Sequence, residues 1–352
     1  MAVQNKALIF KKVPTHVPIS GTHIAVEDRP FDLSQPAPEG GALVKGLYFS
    51  LDPYMRGRMR SPEAKSYSPP YTLDAPITAY SLVQILKSNY PKYSPGDVVF
   101  GRFELAEYSL ATKDVLDWDQ VAKIDNHYGV PLSNFLGILG MTGLTAYSSL
   151  YEIGKPKRGE TIFVSSAAGA VGQIVGQVAK HEGLRVIGSV GDDDKLDFIL
   201  NELGFDGGWN YKKEKAHDAL KRLAPGGVDI YYENVGGEQL EAALDFMNTH
   251  GRIVTCGMIS QYNLPPAERY GIKNLFHIIS KRLKIEGFIV GDANFGPKYY
   301  KERNERIGAW IADGSIKDKE HIDDGIDKAA DAFVAMLEGK NFGKAILRVA
   351  DP

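Results

Sequence analysis

Two hydrophobic rhythms divide this chain. Up to about residue 125, apolar positions come in short alternating runs broken by proline and glycine, as in residues 41–50, 81–86 and 96–101. Alternation with period two is what a strand with one buried face needs, so the spacing predicts an antiparallel, β-rich region. Pro95-Gly-Asp97 supplies a turn inside the last run. Residues 61–71 carry no periodicity and read as a long loop.

Beyond Val130 the rhythm changes. Residues 137–151 end in a helical apolar pattern, and the basic stretch 155–159 separates them from a β-branched run at 160–164. Strand candidates at 160–164, 185–189, 208–211, 228–235, 252–258 and 284–290 alternate with helical patterns at 172–180, 195–203, 213–223 and 238–247. Such alternation predicts a parallel sheet covered by helices on both faces, an α/β class. Amphipathic helices come next, at 297–312 and 326–337. The strand-like run 344–349 comes after a sheet of about six strands is complete, and chain length suggests that it returns to the first region.

Composition narrows the picture. A length of 352 residues suits roughly two domains. A net charge of −3 carries no signature of nucleic-acid or membrane binding. The start of the chain, Met1-Ala-Val-Gln-Asn-Lys6, lacks an apolar signal core, and no apolar run approaches the ~18 residues of a membrane helix. A cytoplasmic protein is the expectation. The single cysteine, Cys256, excludes intramolecular disulfides and a cysteine-rich zinc lobe, and reads as a buried thiol of a strand. None of the eight histidines pairs with another at i, i+3 or i, i+4. No metal site is expected, so polarisation of a carbonyl would fall to hydrogen-bond donors.

The candidate chemistry gathers at Ser166-Ala-Ala-Gly-Ala-Val-Gly172, which follows a predicted strand and opens a predicted helix. Ala167, Gly169 and Gly172 take the three positions of the G-x-G-x-x-G fingerprint, with alanine at the first. Small residues there let the backbone approach a pyrophosphate, and the helix start offers N–H donors. Counting about 20 residues past this turn, where an NAD site places an acid, reaches the neutral Ser189. That leaves room for a 2′-phosphate.

Several stretches together resemble one family: Ser50-Leu-Asp-Pro-Tyr-Met-Arg56, Pro95-Gly-Asp-Val-Val99, Gly140-Met-Thr-Gly-Leu-Thr-Ala-Tyr147, the glycine turn, Tyr232-Glu-Asn-Val-Gly-Gly237, Cys256-Gly-Met-Ile-Ser-Gln-Tyr-Asn263 and Gly339-Lys-Asn-Phe-Gly-Lys-Ala345. In this order they resemble the zinc-independent medium-chain dehydrogenases/reductases, in the branch of prostaglandin/leukotriene reductases, alkenal double-bond reductases and curcumin reductase. The resemblance implies a GroES-like β-rich catalytic domain over 1–128, a Rossmann cofactor domain over 129–312, and a C-terminal segment, 313–352, returning to the first. It implies NADPH as cofactor and a small-molecule enone or enal as substrate, reduced at its C=C bond. It also implies a homodimer formed along an edge such as 284–290.

Residue by residue, the same resemblance implies cofactor contacts at Met141, Thr142, Ala168, Gly169, Ala170, Val171, Gly172, Ser189, Asn234, Cys256, Phe288, Ile289, Val290 and Asn341. Lys195 and Tyr211 match the pair that takes the 2′-phosphate. Gly191 is followed by Asp192 where the family often has serine, and an acid there would repel a phosphate. Tyr262 matches the tyrosine placed beside the nicotinamide, a neutral phenol able to bond an enone oxygen or deliver a proton. Tyr54 and Tyr80 match pocket tyrosines, with Ala79 and Ser81 where the family has glycines. Arg56 is read as an attractor of an acidic substrate tail or a structural partner, and Tyr71 as part of a pocket wall. Two other readings stay open on the residues: a quinone oxidoreductase of the same superfamily, and an NADPH-binding protein without turnover.

Overall fold

The computed structural model describes residues 2–352 and divides into two compact units. One runs to Leu136 and resumes from Glu320 to Pro352; the other is continuous from Gly137 to Lys319.

The first unit is built on a seven-stranded sheet. Its longest spine runs Glu320–Asp324, Lys344–Arg348, Ala42–Ser50, Thr78–Ser88, Val98–Glu104 and Ala122–Lys123, with Tyr108–Ala111 also paired to Ala42–Ser50. All pairings are antiparallel except that of the first two strands. Strand Ala42–Ser50 serves three neighbours because its register shifts at Leu43/Val44 and Gly46/Tyr48. Gly46 is required there: a Cβ would stand 2.3 Å from the Ala106 carbonyl oxygen. The strand Lys344–Arg348 lies against it in the register Ile346↔Ser50 and Arg348↔Tyr48. Leu8, Phe10, Phe49, Met55, Phe333 and Leu347 close the main core. A buried lysine sits at the start of this last strand. Lys344 Nζ lies 3.3 Å from Asp52 Oδ1, both side chains almost fully enclosed, and donates to the carbonyls of Leu51 and Ala345 at 3.0 and 2.6 Å.

The second unit holds six parallel strands in the order Gly207–Asn210, Arg185–Val190, Thr161–Val164, Val228–Glu233, Met247–Thr255, Lys284–Gly287. Numbered along the unit, this is 3-2-1-4-5-6, the doubly wound arrangement of dinucleotide-binding folds. The inner strands are apolar along their length because helices cover both faces. The α/β class expected from the alternating pattern is therefore present. Strand order reverses between Thr161–Val164 and Val228–Glu233, and ligands of such sheets bind beyond the carboxyl ends at that crevice. The sixth strand is shorter than its apolar pattern suggested. It ends at Gly287, and Phe288, Ile289 and Val290 form a turn closed by Ile289 N–H to Asp292 and Gly296 N–H to the Val290 carbonyl at 2.8 Å. No helix among the described residues is long and apolar enough to cross a membrane.

Candidate functional site

At the switch point, two loops are stitched together by two bonds that Asn234 donates to Ser165. Ser165 Oγ accepts the Asn234 N–H at 2.9 Å, while Asn234 Nδ2 donates to the Ser165 carbonyl at 2.8 Å. Ser166 takes a left-handed backbone (φ 52°), which turns the chain sharply out of the strand. Ala167 N–H then reaches the Ser189 carbonyl at 2.9 Å, tying the turn to the neighbouring strand. The helix Gly172–His181 follows, and its N-cap, Val171, contributes no side-chain bond to the first turn. In its first turn the N–H groups of Gln173, Ile174 and Val175 are met by the carbonyls of Gly169 and Val171, so the backbone donors left for an anion are those of the preceding small-residue turn.

The cradle depends on absent side-chain atoms. A Cβ on Gly172 would lie 2.3 Å from the Ser166 carbonyl oxygen, and one on Gly169 would lie 2.9 Å from Ser166 Oγ. The donors and the closeness of approach fit a pyrophosphate. Lys195 has its side chain held against the protein, 13 % exposed, with Nζ 3.5 Å from Asp192 Oδ2. Tyr211, half-exposed, places its hydroxyl over Gly191, where a Cβ would come within 3.2 Å of it.

Ser189 differs from expectation. It ends its strand as the count required, but it is fully buried and its Oγ donates to Gln239 Oε1 at 2.6 Å. Side chains alternate along a strand, and this one faces the helix layer. Its contribution to the turn is its carbonyl, and Gln239, which sequence reasoning passed over, is its partner.

A second loop carries Cys256 and Tyr262. Cys256 sits just past its strand, and its thiol is pushed up to about 12, chiefly by burial. Gly257 leaves room for the Tyr262 hydroxyl, which accepts the Met258 N–H at 3.1 Å. Beneath this loop lies Glu233, fully buried. Its Oε1 accepts from the N–H groups of Val235 and Gly236 at 2.6 and 2.8 Å, from Tyr231 at 2.9 Å and from Ser165 at 3.3 Å. Its Oε2 is buried with no hydrogen-bond partner, and burial raises the carboxyl above its usual range. A carboxylate ending the apolar run Val228-Asp-Ile-Tyr-Tyr-Glu233 was the signal that could have flagged it. Met141 and Thr142 open the helix Met141–Ser149, where Thr142 Oγ1 donates to the Gly137 carbonyl at 2.9 Å.

In the first unit two tyrosines stand together. The Tyr54 and Tyr80 rings lie edge to face at 6.3 Å, and Tyr80 also stacks on Phe100 at 5.7 Å. The Tyr80 hydroxyl donates to Gln120 Oε1 at 3.2 Å. The Tyr54 hydroxyl is buried without a hydrogen-bond partner, and burial holds it well above the ordinary phenol range. An orphaned hydroxyl of this kind suits a polar ligand atom.

Two further residues expected near the substrate have internal partners. Arg56 is buried and donates to the carbonyls of Pro14 and His16 at 3.1 and 3.0 Å, because a buried guanidinium must be met by acceptors. Tyr71 is a core residue under the Arg58 guanidinium, 4.1 Å from its ring centre, and its hydroxyl donates to the Thr78 carbonyl. Both hold the fold. Asn341 Nδ2 closes a turn on the Gly343 carbonyl at 2.7 Å.

A family model described as the N-terminal domain of oxidoreductase matches residues 6–117, and one described as zinc-binding dehydrogenase matches residues 170–307. Among the described residues, no three His, Cys, Asp or Glu side chains converge as a metal ion would need. The chain is 53% identical over 348 residues to the NADP-dependent oxidoreductase RED1 of Cochliobolus heterostrophus, covering 99% of this chain and 98% of that one. It is 43% identical over 350 residues to the NADP(+)-dependent 2-alkenal reductase of Nicotiana tabacum, covering 99% and 98%. The crystal structure of CurA from Vibrio vulnificus in complex with NADPH superposes with a TM-score of 0.89 at 34% identity, covering 99% and 100%.

Proposed function

Since this chain belongs to the zinc-independent medium-chain dehydrogenases/reductases, in their alkenal and enone reductase branch, we propose that it is an NADPH-dependent reductase of the C=C bond in α,β-unsaturated ketones and aldehydes. The observation that carries this reading is the Tyr262 hydroxyl, which holds a backbone N–H on its oxygen. When bound, NADPH supplies a hydride for the β-carbon.

The chain's own residues do the rest. The turn from Ala168 to Gly172 holds the pyrophosphate on backbone N–H groups, and Lys195 with Tyr211 holds the 2′-phosphate. Asn234 keeps the turn in place through Ser165. Met141, Thr142, Cys256, Phe288, Ile289, Val290 and Asn341 are assigned to the walls of the cofactor site. As hydride arrives at the β-carbon, charge collects on the substrate oxygen. A donor aimed at that oxygen is most valuable at this stage. Tyr262 fills that role, as donor to the oxygen or as proton source for the enolate. Tyr54, whose hydroxyl has no internal partner, and Tyr80 are assigned to the substrate.

The test is a product-resolved assay with NADPH across enones, enals and quinones. Saturated ketones and aldehydes are expected. Allylic alcohol as sole product would refute the reading, and quinone turnover without alkene reduction would replace it with a quinone oxidoreductase.

A homodimer formed along the edge strand Lys284–Gly287 belongs to the same proposal. Ile285 in that strand and Phe276 and Ile279 just before it are 40, 72 and 70 % exposed. An open strand edge flanked by apolar side chains favours a second copy. Light scattering on the purified protein tests it, and a monomer at micromolar concentration would reject it.

A further inference from the structure

Asp192 and Lys195, just past the strand Arg185–Val190, hold each other. Asp192 has extended backbone and caps the short helix Asp193–Asp197, its Oδ1 accepting the Lys195 N–H at 2.9 Å. Its other oxygen lies 3.5 Å from Lys195 Nζ. The lysine side chain is largely covered while the carboxylate is half-exposed. The next acid, Asp193, is engaged elsewhere, by Asn210 Nδ2 at 2.9 Å and by Lys213.

The two nicotinamide cofactors differ only at this end. A 2′-phosphate calls for a cation, whereas a ribose 2′-hydroxyl calls for a carboxylate acceptor beyond the second strand. This chain sets both groups side by side. Resting on the NADPH reading, we propose that Asp192 determines cofactor specificity: its carboxylate counterbalances Lys195, opposes the 2′-phosphate and offers an acceptor to a 2′-hydroxyl. The protein therefore accepts NADH as well as NADPH, with a narrow margin for NADPH.

Charge and capping can be separated, because asparagine caps a helix as well as aspartate does but carries no charge. Calorimetric titration with two cofactor fragments, 2′,5′-ADP and 5′-AMP, reads the phosphate contribution without turnover. For Asp192→Asn the affinity ratio of 2′,5′-ADP to 5′-AMP should widen roughly tenfold, mostly by tighter 2′,5′-ADP binding. An unchanged ratio in a variant that melts like the wild type overturns the proposal. Should Asp192→Asn not fold, Asp192→Ser keeps a capping oxygen and is read the same way. Lys195→Ala serves as the control for the underlying reading. If it binds 2′,5′-ADP as well as the wild type does, the phosphate site itself is wrong. If it loses that binding while Asp192→Asn changes nothing, only the role of Asp192 is wrong.

Discussion

The Met258 N–H donates to the phenol oxygen of Tyr262 at 3.1 Å. That bond holds the phenol oxygen in place beside the loop backbone. It also fixes the ring over Gly257, where a Cβ would collide with the hydroxyl.

Replacing Tyr262 by phenylalanine should lower turnover of an enone by roughly 10²-fold, the lower end for loss of a positioned acid. NADPH affinity, measured by fluorescence titration, should stay close to that of the wild type. Equal turnover in the variant would remove Tyr262 from the chemistry and leave the proton to solvent.

Gly172→Ala forces a Cβ to 2.3 Å from the Ser166 carbonyl oxygen, a backbone atom that cannot swing aside. The turn and the helix start must separate, at a cost of about 1–3 kcal/mol for an overpacked site. Both the melting temperature and NADPH binding should fall. A variant that binds NADPH normally would show that the turn does not cradle the pyrophosphate.

Arg56→Met keeps the aliphatic stem but strips the donors from the carbonyls of Pro14 and His16. The buried Pro14 carbonyl, left unmet, costs about 1–3 kcal/mol, while water can reach that of exposed His16. The melting temperature should drop while KM for neutral and acidic enones holds steady. A selective rise in KM for acidic substrates, with stability intact, would return Arg56 to the substrate site.

Glu233 predicts a pH effect with a definite sign. Burial raises its folded pKa above the usual 4.5, so the folded chain binds the proton more tightly than the unfolded chain does. Stability is then lost as pH rises from about 4.5 through the folded value. Melting curves should show Glu233→Gln gaining on the wild type as pH rises across this window, with the difference flat below it. A difference independent of pH would mean that folding leaves the carboxyl's pKa unshifted.

The Cys256 thiol, pushed up to about 12, is protonated at pH 8 and a poor nucleophile. Iodoacetamide should leave the native protein unlabelled and label it fully in urea, as mass spectrometry would read. Rapid native labelling would mean that the thiol ionises far more readily than this.

Much of this was legible along the chain. The strand, small-residue turn and helix from 160 to 180 could be read directly, because each demands a distinct residue pattern and the three occur in order. Less legible was where single side chains point. Ser189 was counted to the right position, yet the buried amide of Gln239, distant in sequence, captures its hydroxyl. Arg56 and Tyr71 lie in or near family-like segments, but their partners are the carbonyls of Pro14, His16 and Thr78, which no local pattern announces. Residues 288–290 continue an apolar run, and only the bonds from Asp292 and Gly296 show that the strand has ended. Conversely, the orphaned hydroxyl of Tyr54 could not be told from the other tyrosines until the packing around it was known.

The strand Lys344–Arg348 also has a consequence for the order of events during synthesis. Lys344 is 293 positions from Leu51, whose carbonyl it holds, and the whole of residues 137–319 is made in between. The parallel sheet can therefore be finished while Tyr48–Ser50, past the stretch that Tyr108–Ala111 covers, still lack a neighbour on that side, since contacts of such separation form late. A ribosome paused before Lys344 would present a complete nucleotide-binding sheet, a bare strand edge open to other chains, and Asp52 without its cation.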